Sequence, residues 1–171
     1  MHMKITRKFT TQGQSPFDAV EWTRRSSKIS NPDGSVVFEM QGAEVPKSWS
    51  QLATDIMVSK YFRKAGVPKD GGPNGLADPD WEGGEATERQ SDEATKSGET
   101  GPERSARQVI HRLAGCWRHW GEKYGYFDTA EDGQAFYDEL VHMMVHQVCA
   151  PNSPQWFNTG LNWAYGLTGP A

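Results

Sequence analysis

The side chains best suited to chemistry lie in the last third of the chain. His142 and His146 stand four residues apart, with Cys149 close behind, a spacing that puts the two imidazoles on one helix face. Cys116 and His119 form a second pair upstream. Together these residues could hold a metal ion between two helices, or activate a thiolate through a neighbouring imidazole. The patterns that diagnose such sites are missing. Met143, Met144 and Val145 separate the two histidines where a metalloprotease helix carries a glutamate, and no Cys-x-x-Cys occurs. All of these residues fall within continuous helical patterns, whereas nucleophiles usually stand at strand ends or helix starts. The plainer reading is a pair of half-exposed histidines beside a packed seam with two inert thiols. No catalytic residue and no metal ligand is assigned. Gly-rich phosphate loops are absent as well.

A different chemistry is offered by Pro151-Asn152-Ser153-Pro154-Gln155-Trp156-Phe157-Asn158-Thr159-Gly160. Two prolines fix φ on either side of one hydroxyl, which predicts that Ser153 and its neighbouring amides are held extended and non-helical. A stiff loop offering a hydroxyl suits binding of a phosphate or sugar oxygen, without bond-making of its own. The same string also reads as a helix-terminating turn.

Several elements must position these residues. Ala19 to Arg24 and Ser35 to Met40 flank Asn31-Pro32-Asp33-Gly34 and predict a β-hairpin. Ser48, with Gln51 three places on, resembles a capping box. Trp49, Leu52, Ala53, Ile56, Met57 and Tyr61 then form an apolar stripe of helical period, stopped by Gly66 and Pro68. Ser105 opens a second helix, with Ala106, Val109, Ile110, Leu113, Trp117 and Trp120 on its stripe. Asp128 or Thr129 opens a third, which buries Phe136, Tyr137, Leu140, Val141, Met144 and Val148 and ends at Pro151. The short connection through Tyr124 to Phe127 makes these two helices antiparallel neighbours. The tail beyond reads as loop. Residues 1–15 read as a flexible amino terminus, and residues 69–104, rich in Gly and acidic side chains, as a disordered insertion. The fold class expected is α+β, mainly α, with the hairpin packed on amphipathic helices.

Composition narrows the function. The 171 residues are only 36% hydrophobic, yet include seven Trp, seven Phe and five Tyr, so a folded part is diluted by a solvated one. Mean hydropathy is -0.74. A net charge of -4 argues against direct nucleic-acid binding. No apolar run is long enough for a membrane span, and the amino terminus has no secretory h-region, so a cytoplasmic location is expected.

Pro151-Asn152-Ser153-Pro154 with Asn158-Thr159-Gly160 resembles the loop near the start of the catalytic barrel in ribonucleotide reductase large subunits. Val45-Pro46-Lys47-Ser48-Trp49-Ser50-Gln51-Leu52-Ala53-Thr54-Asp55, Lys60-Tyr61-Phe62 and Ser105-Ala106-Arg107-Gln108-Val109-Ile110 are similar to the amino-terminal domain of one branch, the adenosylcobalamin-dependent class II enzymes. So are Trp120-Gly121 and Tyr124-Gly125-Tyr126-Phe127. The likeness covers most of residues 16–171 outside the acidic segment.

This resemblance implies an amino-terminal domain leading into an α/β barrel that lies beyond this sequence. The enzyme would reduce ribonucleotides to 2′-deoxyribonucleotides by thiyl-radical chemistry. Its partners would be the ribonucleotide, a dithiol reductant such as thioredoxin and the remainder of the barrel, in an assembly compatible with a homodimer. The resemblance places the adenosylcobalamin site and the catalytic cysteines outside this chain. Ser153 alone inherits a role, contact with the substrate. The chain by itself is then an inactive fragment, and Gly169-Pro170-Ala171 does not read as a domain's natural finish. The competing reading is a free-standing helical interaction module with a Cys/His metal site.

Overall fold

The structure, a computed structural model, describes residues 2–82 and 98–169. Strands β1 (Trp22–Ser30) and β2 (Val36–Pro46) pair antiparallel, from Trp22 opposite Pro46 to Ser30 opposite Val36. At the turn Asp33 accepts from the Ser35 amide at 2.8 Å, and Gly34 takes the left-handed conformation, φ 85°. Both strands run further than the sequence pattern reaches. Register shifts between Arg25 and Ser27 and between Ile29 and Ser30 break the alternation that marks a strand. Only the half nearest the helices contributes to the core, through Met40, Ala43 and Val45.

Helix α1 (Gln51–Ile56) is capped by Ser50, whose hydroxyl accepts from the Ala53 amide at 3.1 Å; the expected cap, Ser48, lies outside it. The helix passes into a π turn (Met57–Tyr61), closed by the Phe62 amide on the Met57 carbonyl at 3.1 Å. The extra residue rotates the chain beyond it, so the predicted stripe divides. Trp49, Met57, Val58 and Phe62 are buried, while Leu52 is 69% exposed. The chain becomes extended at Phe62, before Gly66 and Pro68 are reached.

Helices α2 (Ala106–Lys123) and α3 (Ala130–Val145) start with capping boxes, Ser105 with Gln108 and Thr129 with Asp132. Val109, Ile110 and Leu113 of α2 and Val141, Met144 and Val145 of α3 form the main core with Trp49, Phe62 and Trp156. Burying each large apolar side chain contributes roughly 1.5–3 kcal/mol. Helix α3 stops at Val145, with Gln147 at φ 57°, so Pro151 does not end it and Val148 is exposed.

The expected class, α+β and mainly α, is the one observed, although several segments differ from their sequence reading. Residues 2–10 lie along α3 rather than free of the domain. The Ile5 amide donates to Asp132 at 2.7 Å, Arg7 pairs with Asp138 at 2.6 Å, and the Thr10 amide donates to Glu139 at 2.9 Å. Residues 69–82 and 98–104, expected within a disordered insertion, are ordered by backbone hydrogen bonds, with Leu76 packed against the main core. Strands β3 (Val67–Pro68) and β4 (Thr100–Gly101) pair, and the Asn74 and Gly75 amides both donate to the Ala164 carbonyl at 3.0 Å. Residues 83–97 of that expected insertion lie outside the described residues. The tail folds into α4 (Ser153–Asn158) and α5 (Leu161–Tyr165). Between them Gly160 sits at φ 81°, where a Cβ would stand 2.0 Å from the Arg112 carbonyl oxygen. No helix among the described residues is long and apolar enough to cross a membrane.

One buried ion pair joins these pieces. Arg112 and Glu103, with side chains 1% and 0% exposed, meet at 2.8 Å. The guanidinium also donates to the carbonyls of Thr159 at 2.8 Å, Trp156 at 2.7 Å and Tyr61 at 3.3 Å. Glu103 accepts from the Arg63 amide and the Tyr165 hydroxyl, each at 2.7 Å. Burial and the Glu103 charge push the Tyr165 phenol well above its ordinary pKa, which keeps it a donor. Removing one partner of such a pair strands the other charge. Glu103→Ala should therefore lose about 3–5 kcal/mol in urea unfolding. Leu52→Ala, on the exposed side of α1, should change stability by less than about 0.5 kcal/mol. Equal small losses would contradict the role given to the pair.

Candidate functional site

Ser153 is the first residue of α4, so the extended geometry expected between its prolines is not found. Proline is compatible with the first turn of a helix because an amide there has no intrahelical partner to lose, and Pro154 accordingly sits in that turn, directly after Ser153. Asn152 precedes it at φ -73°, ψ 163°, and Ser153 itself is exposed at the surface. The Ser153 hydroxyl lies 3.0 Å from the phenol oxygen of Tyr61. The Tyr61 ring stacks on Trp156 at 5.7 Å and meets Phe157 at 5.5 Å. Trp156 is buried and Phe157 is 43% exposed, so the cluster runs from the core to the surface. Beside it opens an apolar cleft of about 240 Å³, whose walls include Ile56, Tyr61, Met144, Cys149 and Trp156.

The other candidates are not assembled into a site. His142 is layered between Phe9, at 4.9 Å, and His146, at 3.9 Å. Burial first, and the neighbouring His146 second, hold its pKa below the ordinary imidazole value. The His146 Nδ1 lies 2.9 Å from the His142 carbonyl oxygen. His119 stands beside Trp163 at 6.3 Å. Cys116 is buried in α2, and burial raises its thiol pKa against the opposing effect of the Gly160 amide. Burial likewise raises that of Cys149. Both thiols therefore remain protonated near neutral pH and are poor nucleophiles. Among the described residues no group of three His, Cys, Asp or Glu side chains could hold a metal ion.

Sequence reasoning misses two participants. Tyr61 closes an apolar stripe and looks like core; only the π turn directs its hydroxyl toward Ser153. His111 falls between the stripe positions of α2, yet its ring joins two elements. Nδ1 lies 2.6 Å from the Tyr137 hydroxyl and Nε2 lies 2.8 Å from the Asn74 carbonyl. A carbonyl can only accept, so Nε2 carries the proton and Nδ1 receives the Tyr137 hydrogen.

Residues 23–147 match the family described as class II vitamin B12-dependent ribonucleotide reductase. The chain belongs to this family. It is 50% identical to the vitamin B12-dependent ribonucleotide reductase of Bradyrhizobium diazoefficiens, over 98% of this chain and 14% of that protein. Identity to the enzyme of the same name from Agrobacterium fabrum is also 50%, over 98% of this chain and 13% of that protein. The Rhodopirellula baltica relative is 40% identical over 98% of this chain and 13% of its own length. The chain thus spans about one-seventh of the curated relatives it matches. In this reductase domain the cleft at Tyr61, about 240 Å³, is smaller than the ~300–1,000 Å³ of sites that enclose ordinary small ligands. A corrin does not fit there, and no cobalamin site is assigned to these residues.

His111 and His142 both contribute to the pH dependence of the domain, and His111 does so from between two elements. Burial pushes its pKa below the ordinary histidine value, against the smaller opposing effect of Asn74. The unfolded chain takes up that proton first, near pH 6.5. The stabilisation is therefore complete above that pH and is lost as pH falls through the lower folded value. Urea unfolding from pH 7.5 to 5 should show falling stability in the parent. His111→Gln, weaker at pH 7.5, should show a shallower fall; an unchanged slope would contradict the assignment.

Proposed function

We propose that the chain is the amino-terminal part of a vitamin B12-dependent ribonucleotide reductase, which reduces ribonucleotides to 2′-deoxyribonucleotides for DNA synthesis and repair. Within it these residues form one wall of the substrate site and a support for the barrel. Adenosylcobalamin, bound elsewhere in the polypeptide, supplies the radical by homolysis of its cobalt–carbon bond. The residues of this chain bind and orient. The Ser153 hydroxyl donates a hydrogen bond to a substrate oxygen, the nucleotide phosphate offering the acceptor, and the protonated Cys116 and Cys149 take no part in electron transfer. A dithiol such as thioredoxin returns the electrons, the working location is the cytoplasm, and a homodimer is compatible with this arrangement.

The observation that carries this reading is the position of Ser153. In a chain 50% identical to named reductases along nearly its whole length, the hydroxyl that the family resemblance singles out is exposed beside an open cleft. A sealed hydroxyl could not meet a nucleotide. Ile56 in the wall of that cleft and Phe157 beside Tyr61 are both exposed, and this is the face that the rest of the reductase polypeptide would cover.

In the intact enzyme, Ser153→Ala should raise KM for the ribonucleotide roughly three- to tenfold, the range expected for one lost hydrogen bond. Its melting temperature should stay unchanged. An unaltered KM would remove Ser153 from the substrate site. The 171-residue chain, given adenosylcobalamin and a dithiol, should form no deoxyribonucleotide, and turnover by it would overturn the division of labour.

A further inference from the structure

The hydroxyl of Ser153 has a protein neighbour held in place from several sides. Tyr61 comes from a different part of the chain, and its phenol oxygen stands 3.0 Å from Ser153 Oγ. Three features hold it there. Tyr61 is the last residue of the π turn Met57–Tyr61, and the chain turns extended directly after it at Phe62. Trp156 stacks on the ring and Phe157 meets it at a tilt, at 5.7 and 5.5 Å. The buried Arg112 guanidinium donates to the backbone carbonyls of both Tyr61 and Trp156, at 3.3 and 2.7 Å, so the two segments bearing the hydroxyls share one anchor.

We infer that Tyr61 is a positioning residue of the substrate site, acting through Ser153; this rests on the function proposed above. The direction of the hydrogen bond is set by the ligand. An ionised phosphate oxygen only accepts, so Ser153 must donate its single hydrogen to the nucleotide. Its oxygen is then free to accept from Tyr61, giving a chain of donors from Tyr61 to Ser153 to the substrate. Each bond in such a chain strengthens the next. Without the phenol, the Ser153 hydroxyl can rotate away from the substrate, and its hydrogen bond to the nucleotide loses a polarising partner.

The test is a double-mutant cycle in the intact reductase with Tyr61→Phe, Ser153→Ala and both together. The probe is cytidine 5′-diphosphate, or the triphosphate where that is the form turned over. Steady-state kinetics are read with equilibrium dialysis of the same labelled nucleotide. Tyr61→Phe should raise KM and the dissociation constant about three- to tenfold, with kcat changed by less than about twofold. In the Ser153→Ala background the same substitution should add nothing. Phenylalanine keeps the ring contacts, so the melting temperature should hold within about 2 °C. If affinity and melting temperature fall together, the ring and not the hydroxyl is responsible and the inference fails. It fails equally if the two substitutions act additively, or if Ser153→Ala weakens binding and Tyr61→Phe does not. If Ser153→Ala leaves binding intact, the reading beneath the inference fails instead.

Discussion

A single buried guanidinium determines how the segments of this domain can meet. Arg112 lies within α2, 1% exposed, and a charge so placed is tolerated only when it is paired and hydrogen-bonded. The donors reach Glu103 ahead of the helix, Tyr61 after α1, and Trp156 and Thr159 in α4 and just past it. Elements distant in sequence are thereby brought to one point. Gly160 answers the same demand, because the chain passes too close to the α2 backbone at Arg112 for any Cβ. The apolar core supplies most of the favourable free energy, but it is indifferent to small slips of α4 against α1. Hydrogen bonds to defined carbonyls are not. That is how a structural ion pair fixes the separation of two surface hydroxyls.

The features legible in the sequence divide along the same line. Helices α2 and α3 are legible because their buried faces repeat at helical period and their caps, Ser105 and Thr129, are local signals. The hairpin is legible at its turn and not at its length, since register shifts disrupt the alternation. Glu103 shows the opposite case. It sits in an acidic, Gly-rich stretch that reads as solvated, yet it is 0% exposed; its environment is made by Arg112, Tyr165 and the Arg63 amide, none of which is a sequence neighbour in any pattern. The amino terminus escapes a sequence reading for the same reason. Asp132, Asp138 and Glu139 look like surface acids of α3 until residues 2–10 cover them. Tyr61 reads as core because a π turn leaves no sequence mark that periodicity can detect. Ser153 is identifiable as a residue, although its flanking prolines suggest an extended backbone where a helix begins.

The domain also shows how reactive residue types can be held inert. Cys116 is buried and Cys149 packs against the main core, while His119 and His146 are exposed. The thiols are kept protonated by burial, and His142 is a flat layer between Phe9 and His146. Under the function proposed above, the surface around Ser153 would meet the substrate with hydroxyls and aromatic rings, groups suited to orientation rather than to radical transfer.

The most direct measurement is a crystal structure of the intact polypeptide with a bound ribonucleotide. The account predicts a substrate oxygen within about 3 Å of Ser153 Oγ, with the Tyr61 phenol still on the far side of that hydroxyl. A nucleotide seated away from residues 151–160, or a Ser153 covered by protein with no ligand atom near it, would contradict the account.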